Sequence, residues 1–238
     1  MGITRNVYNG LDSLEDFYSQ DILNEILVIL TSDIDWKQSP PMGRLEFDIF
    51  DFPIKSKIKD FLIKNKIIDS EDYISIAMLW KDQNRDLETY QKQLFSLPLH
   101  IDPYKLVYKA IQVYLDDNAC YGSVWFDTNV YNEVSNALSP SLPGWHDGHI
   151  VKTDIPGKYD IYNGEKLISC SSGNSITYGK NKGYMLRNSL TEPLPHAVMQ
   201  SNEVRTSLYI GIVSDEYYNW VRENKSKPVG GFRVNEDL

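Results

Sequence analysis

The chain contains four histidines, and two of them, His146 and His149, lie in the pentapeptide WHDGH at 145–149. Neutral imidazole is the commonest nitrogen ligand for borderline transition metals. Two histidines three apart, in a chain with so few, therefore raise metal chemistry; a polar turn is the plain alternative. In a strand, His146 and Gly148 would share one face, and Asp147 and His149 the other. A third histidine, His196, opens LPHAVMQSNEVRTSLYIGIV, and Arg205 follows it by nine residues. Arg205 and Ser207 fall on one face of that strand, opposite Val204, Thr206, Leu208 and Ile210. An arginine turned into a core needs an anion, because an unpaired buried charge is very costly. A carboxylate held by a planar guanidinium and a hydroxyl meets that need. The fourth histidine stands in HID at 100–102, where Asp102 precedes Pro103 and reads as a helix cap.

Elements must position these groups, and the chain is long enough to supply them. Its 238 residues carry 42% apolar and 24% charged side chains, the balance of one globular domain with a full core. The spacing predicts a mainly helical scaffold over 1–118. A capping pattern at Ser13 and Asp16 precedes Leu23, Ile26, Leu27 and Leu30; further helices are predicted over 53–68 and 103–115. From 119 to 214 the sequence changes to short runs of Val, Ile, Tyr, Ser and Thr, broken by Gly, Asn and Pro. Eight such runs predict a barrel or sandwich. Residues 215–238 read as a C-terminal helix or tail. Trp125 and the tyrosines read as core.

The order of these motifs resembles the Fe(II)/2-oxoglutarate-dependent dioxygenases. A histidine opening one strand, then H-x8-R-x-S leading into an apolar strand, is similar to the C-terminal half of that family from about Cys120 to Val213. Gly183 in KGYMLRNSLTEPLPHAV resembles the family's glycine-then-strand lead into the distal histidine. The resemblance implies an α+β chain with a mostly β core, a double-stranded β-helix (jelly-roll) with N-terminal helices packed outside. It implies Fe(II), 2-oxoglutarate and O2 as cofactors. Carried over, His146 is the first iron ligand, His196 the distal ligand, and Arg205 with Ser207 the anchor for the far carboxylate of 2-oxoglutarate.

One position departs from the pattern. The family has a carboxylate two residues after the first histidine, and here that residue is Gly148. This H-x-G arrangement resembles the radical halogenase branch, where the open position admits chloride or bromide, and glycine has no Cβ to block the anion. Trp145, Asp147 and His149 are then groups that orient a ligand or meet the substrate. Two competing assignments stand beside it. Asp147 and His149 could act as a reversed D-x-H pair, or His100 and Asp102 as a literal H-x-D, and either gives a hydroxylase. The supply of strands between 149 and 195 favours His146, because the barrel needs several strands between its two ligand strands. A non-catalytic barrel is a further alternative, opposed by the joint presence of His196, Arg205 and Ser207.

Charge and composition narrow the partners. A formal net charge of -9 disfavours phosphate backbones, so nucleic acid is not an expected partner. The most apolar segment, at 22–30, is too short for a bilayer, and the N-terminus lacks a signal-peptide core. Two cysteines, Cys120 and Cys170, form no CxxC pair and suit a reducing compartment. The expectation is a cytoplasmic monomer or homodimer acting on a small molecule.

Overall fold

The computed structural model describes residues 1–8, 10–39, 44–82, 95–101, 107–117, 120–127, 129–130, 132, 140–142, 145–146, 149–152, 158–162, 167–172, 174–187, 194–199 and 204–213. In chain order the elements begin with β1 (Gly2–Tyr8), β2 (Leu11–Glu15), α1 (Gln20–Thr31), β3 (Lys37–Ser39), β4 (Arg44–Asp48) and α2 (Ile54–Lys64). Then come β5 (Tyr73–Asp82), β6 (Phe95–His100), β7 (Lys109–Tyr114), β8 (Cys120–Trp125), β9 (Pro140–Leu142) and β10 (Trp145–His146). The series ends with β11 (His149–Lys152), β12 (Lys158–Tyr162), β13 (Leu167–Ser172), β14 (Asn174–Tyr178), β15 (Gly183–Arg187), β16 (His196–Met199) and β17 (Arg205–Val213).

Two sheets form the barrel. An 8-stranded sheet has the order β1-β2-β15-β7-β17-β5-β4-β3, and a 6-stranded sheet has β14-β8-β16-β6-β10-β9. From β5 to β8, and again from β14 to β17, the chain passes back and forth between the two sheets. That is the winding of a double-stranded β-helix. Strand β17 lies between β5 and β7 and is buried along its whole length.

Alternation along the strands separates two cores. Leu208, Ile210 and Ile212 of β17, with Ala77 and Leu79 of β5 and Ile111 and Val113 of β7, pack against the helices. Helix α1 contributes Ile22, Leu23 and Ile26, and α2 contributes Ile54, Ile58 and Leu62 at fourfold spacing. Each fully buried aliphatic side chain there contributes about 1.5–3 kcal/mol. The opposite faces of β17 and β7 carry Tyr209, Ala110 and Tyr114, and β15 adds Tyr184 and Leu186; all pack with Trp125 of the second sheet. This second cluster fills the barrel interior.

The domain boundaries differ from those expected. Residues 1–118 are not a mainly helical scaffold: they hold β1 to β7, and α1 and α2 are the helices described there. The barrel starts at Tyr73, upstream of 119. Ser13 lies inside β2, and α1 starts later, after Ser19. The helix expected over 103–115 is replaced in its second half by β7. Residues 215–238 lie outside the described residues. All eight strand segments expected after Cys120 contain strands, but β11, β12 and β13 form a separate 3-stranded sheet. Among the described residues no helix is long and apolar enough to cross a membrane.

Helix α2 closes with a double reverse bond. Ile67 N donates to Leu62 O at 2.9 Å and Lys66 N to Ile63 O at 2.9 Å, while Lys66 takes φ of 56°. This is the glycine position of a Schellman cap, occupied by a lysine. Lys66→Gly should remove the cost of a left-handed side chain and retain the cap. The expected gain is about 0.5–1 kcal/mol, or roughly 2–3 °C in a thermal melt. An unchanged or lower Tm would contradict it.

Candidate metal and co-substrate site

His196 opens β16, and its neighbours on both sides are informative. It pairs in register with His100 of β6 on one side and with Trp125 of β8 on the other. Cross-strand partners share a face, and the ring contacts agree. The His100 and His196 rings are 4.1 Å apart at 55°, and the Trp125 and His196 rings are 4.5 Å apart at 30°. Trp125 also meets Tyr184 of the facing sheet edge-on at 4.9 Å, so this face looks into the barrel. Both histidines are buried.

The tautomer of His196 follows from its hydrogen bond. Nδ1 lies 3.2 Å from the Leu194 carbonyl oxygen. A carbonyl only accepts, so Nδ1 carries the proton and Nε2 presents its lone pair. Metal-binding histidines are commonly fixed by this arrangement. Ligand nitrogens about 2.0–2.1 Å from one metal lie roughly 3 Å from each other, which two rings at 4.1 Å can meet. On the same inner face, the buried Ser123 Oγ and Trp125 Nε1 make no hydrogen bond among the described residues. Buried polar atoms are nearly always satisfied, so these two atoms are hydrogen-bonding groups open to a bound ligand. The donor set therefore suits a borderline divalent metal. Among the described residues no carboxylate joins the two histidines, and Asp102 lies outside them.

The facing sheet carries the arginine. Arg205, Ser207 and Tyr209 share the inner face of β17, and Tyr209 stacks on Trp80 at 4.1 Å and 22°. Arg205 and Ser207 are buried, with 2% and 1% exposure. The Ser207 hydroxyl accepts from Gln112 Nε2 at 2.9 Å, and the Tyr184 hydroxyl donates to Gln112 Oε1 at 2.7 Å. Between Arg205 and Ser207, the Thr206 backbone N–H donates to the Asp116 carboxylate. Burial pushes the Asp116 carboxyl up, and that hydrogen bond opposes the shift.

The WHDGH stretch lies differently. Trp145, in β10, is the register partner of His100, and the next residue, His146, pairs with Pro140. His149 opens β11 in the separate small sheet, opposite Tyr162. Asp147 and Gly148 lie outside the described residues. The count of strands between 149 and 195 thus gives His146 no support, since β11 to β13 are not barrel strands; only β14 and β15 are. His196 stands beside His100. Gln112, Tyr184 and Ser123 were not singled out from sequence. Nothing but their place on inward-facing strand positions distinguishes them.

No protein-family model and no curated protein sequence matches the chain. Solved structures do match. HygX from Streptomyces hygroscopicus with nickel and 2-oxoglutarate bound aligns with a TM-score of 0.54 at 9% identity, covering 86% of this chain and 83% of that one. The same protein with hygromycin B also bound aligns at 0.51, again 9% identical over 86% and 83% of the two chains. An oxidoreductase of the 2OG-Fe(II) oxygenase family from Burkholderia pseudomallei aligns at 0.46 and 10% identity, over 89% of this chain and 87% of that one. Sheet order, barrel winding and the two HygX alignments agree: the chain has a jelly-roll fold, shared with the 2-oxoglutarate-bound HygX.

Proposed function

We propose that this protein is an Fe(II)/2-oxoglutarate-dependent oxygenase that hydroxylates a small molecule, with His100, Asp102 and His196 as the metal-binding triad. The observation that carries this reading is the cross-strand pair of buried imidazoles, one held through Nδ1 by the Leu194 carbonyl. His100 begins the literal H-x-D of HID, so the sequence itself offers the carboxylate that a facial triad needs. The iron, when bound, supplies the O2 chemistry that oxidises a substrate C–H bond as 2-oxoglutarate loses CO2.

The chain's own residues bind and orient. His100 and His196, from adjacent strands, would hold the metal, and Asp102, two residues after His100 in the sequence, would supply the carboxylate. Arg205 supplies a fixed cation on the opposite sheet, and Ser207 a hydroxyl two residues on, both suited to a terminal carboxylate. Trp125 and Tyr184 wall the space between the sheets and keep water out. The halogenase reading depended on Gly148 holding a position open two residues after an iron-bound His146. With His100 as the proximal ligand, Gly148 has no such role, and halide is not among the proposed cofactors. The binding of hygromycin B belongs to HygX; for this chain the reading goes no further than a discrete small molecule.

Anaerobic addition of Fe(II) and then 2-oxoglutarate should produce the weak visible charge-transfer band of a chelated 2-oxo acid. Air should then convert 2-oxoglutarate to succinate. Absence of both the band and succinate would sink the proposal.

A further inference from the structure

Tyr184, Gln112 and Ser207 form a buried line of hydrogen bonds across β15, β7 and β17. A primary amide placed between two hydroxyls can stand in either of two orientations. In one, the amide oxygen accepts from tyrosine and the amide nitrogen donates to serine. In the other, serine donates and tyrosine accepts. The orientations differ in what serine offers on its remaining side. The first leaves the serine proton for a further acceptor. The second presents only lone pairs.

The structure holds the first orientation. A phenol is a better donor and a poorer acceptor than an aliphatic hydroxyl, which favours Oε1 toward Tyr184. Each bond then points the same way, and aligned bonds strengthen one another in a low-dielectric interior. The line ends at an O–H two residues from Arg205 on the same inner face. Its reach depends on Gly183: a Cβ there would stand 1.9 Å from the Gln112 carbonyl oxygen, so the glycine lets β15 lie close enough to β7 for Tyr184 to meet Gln112.

We propose that Tyr184 and Gln112 are positioning residues that fix the Ser207 hydroxyl as a donor to the carboxylate beside Arg205. The proposal rests on the 2-oxoglutarate reading and adds the residues that make Ser207 selective for an anion.

The test is a double-mutant cycle read by 2-oxoglutarate affinity on the metal-loaded, oxygen-free protein, with Mn(II) affinity measured on each variant. Tyr184→Phe should weaken 2-oxoglutarate about tenfold, the scale of one hydrogen bond to a charged group. Ser207→Ala should do the same, and the double variant should be no weaker than Ser207→Ala alone. Gln112→Glu should be worse, at about a hundredfold or more, because its carboxylate accepts from both hydroxyls and turns the serine proton away. Mn(II) affinity should stay unchanged throughout. If Gln112→Glu fails to fold, the cycle between Tyr184 and Ser207 decides alone. Additive losses, or a loss of Mn(II) binding in step with 2-oxoglutarate, would reduce the line to scaffolding and overturn the proposal. A wild-type protein that binds metal but no 2-oxoglutarate would overturn the function proposed above and this inference together. Wild-type binding with an unaffected Tyr184→Phe would remove this inference only.

Discussion

His100→Ala should abolish the Fe(II)–2-oxoglutarate charge-transfer band, while His146→Ala should retain it. The argument is positional. His100 is the register partner of His196, and the rings are 4.1 Å apart. Loss of a hydrogen-bond partner to a metal ligand costs about 10–100-fold in metal affinity; loss of the ligand itself should exceed that. His146→Ala should change Fe(II) affinity by no more than a few fold. The measurement is an anaerobic titration followed by visible absorbance, with Mn(II) magnetic resonance as an independent measure. The opposite pattern would restore His146 as the proximal ligand and, with it, the open position at Gly148. Halide dependence of turnover would then become the next question.

Arg205→Ala should leave the metal in place and remove most 2-oxoglutarate affinity. Its guanidinium is buried on the face opposite the histidines. Truncating one partner of a buried charge pair costs about 2–5 kcal/mol, or roughly 30- to several-thousand-fold in Kd. Calorimetry on the metal-loaded protein should show this without a matching change in metal affinity. Arg205→Lys should recover only part of the loss, because an ammonium cannot make the paired, planar contact. Unchanged affinity in Arg205→Ala would remove the co-substrate anchor from the model of the site.

The distal half of the proposed site was legible because its signal is local. His196, Arg205 and Ser207 lie within twelve residues of one another, and strand alternation alone places the last two on one face. The proximal half of the proposed site was hidden by context. Asp102 followed by Pro103 reads as a helix cap, and the KAIQVY segment beyond it has its four apolar residues, Ala110, Ile111, Val113 and Tyr114, on both strand faces. Strand β7 is buried on both faces, so it shows no alternation and is indistinguishable from a buried helix by period. Read as helix, that segment leaves no barrel strand near His100. The histidines of WHDGH then gained weight from strands at 149–172 that pair among themselves. Pairing partners are tertiary facts, and no local pattern in β11 to β13 tells which sheet will receive them. The capping pattern at Ser13 misled similarly, because Leu11 and Leu14 are buried by strands that arrive much later in the chain.

Strand β17 occupies the middle of its sheet, between β5 and β7, although along the chain it comes last among the described strands. During synthesis, β5 and β7 therefore emerge with a gap between them that nothing upstream fills. His100 waits 96 residues for His196, and the arginine comes after both. A ribosome adding about 5–20 residues per second leaves those inner edges open for several seconds. Contacts of such long sequence separation also slow closure of the barrel once β17 is present. The unpaired edges of β5 and β7 are then templates for a second nascent chain. Expression yield should consequently respond more to temperature and translation rate than the stability of the finished barrel alone would suggest.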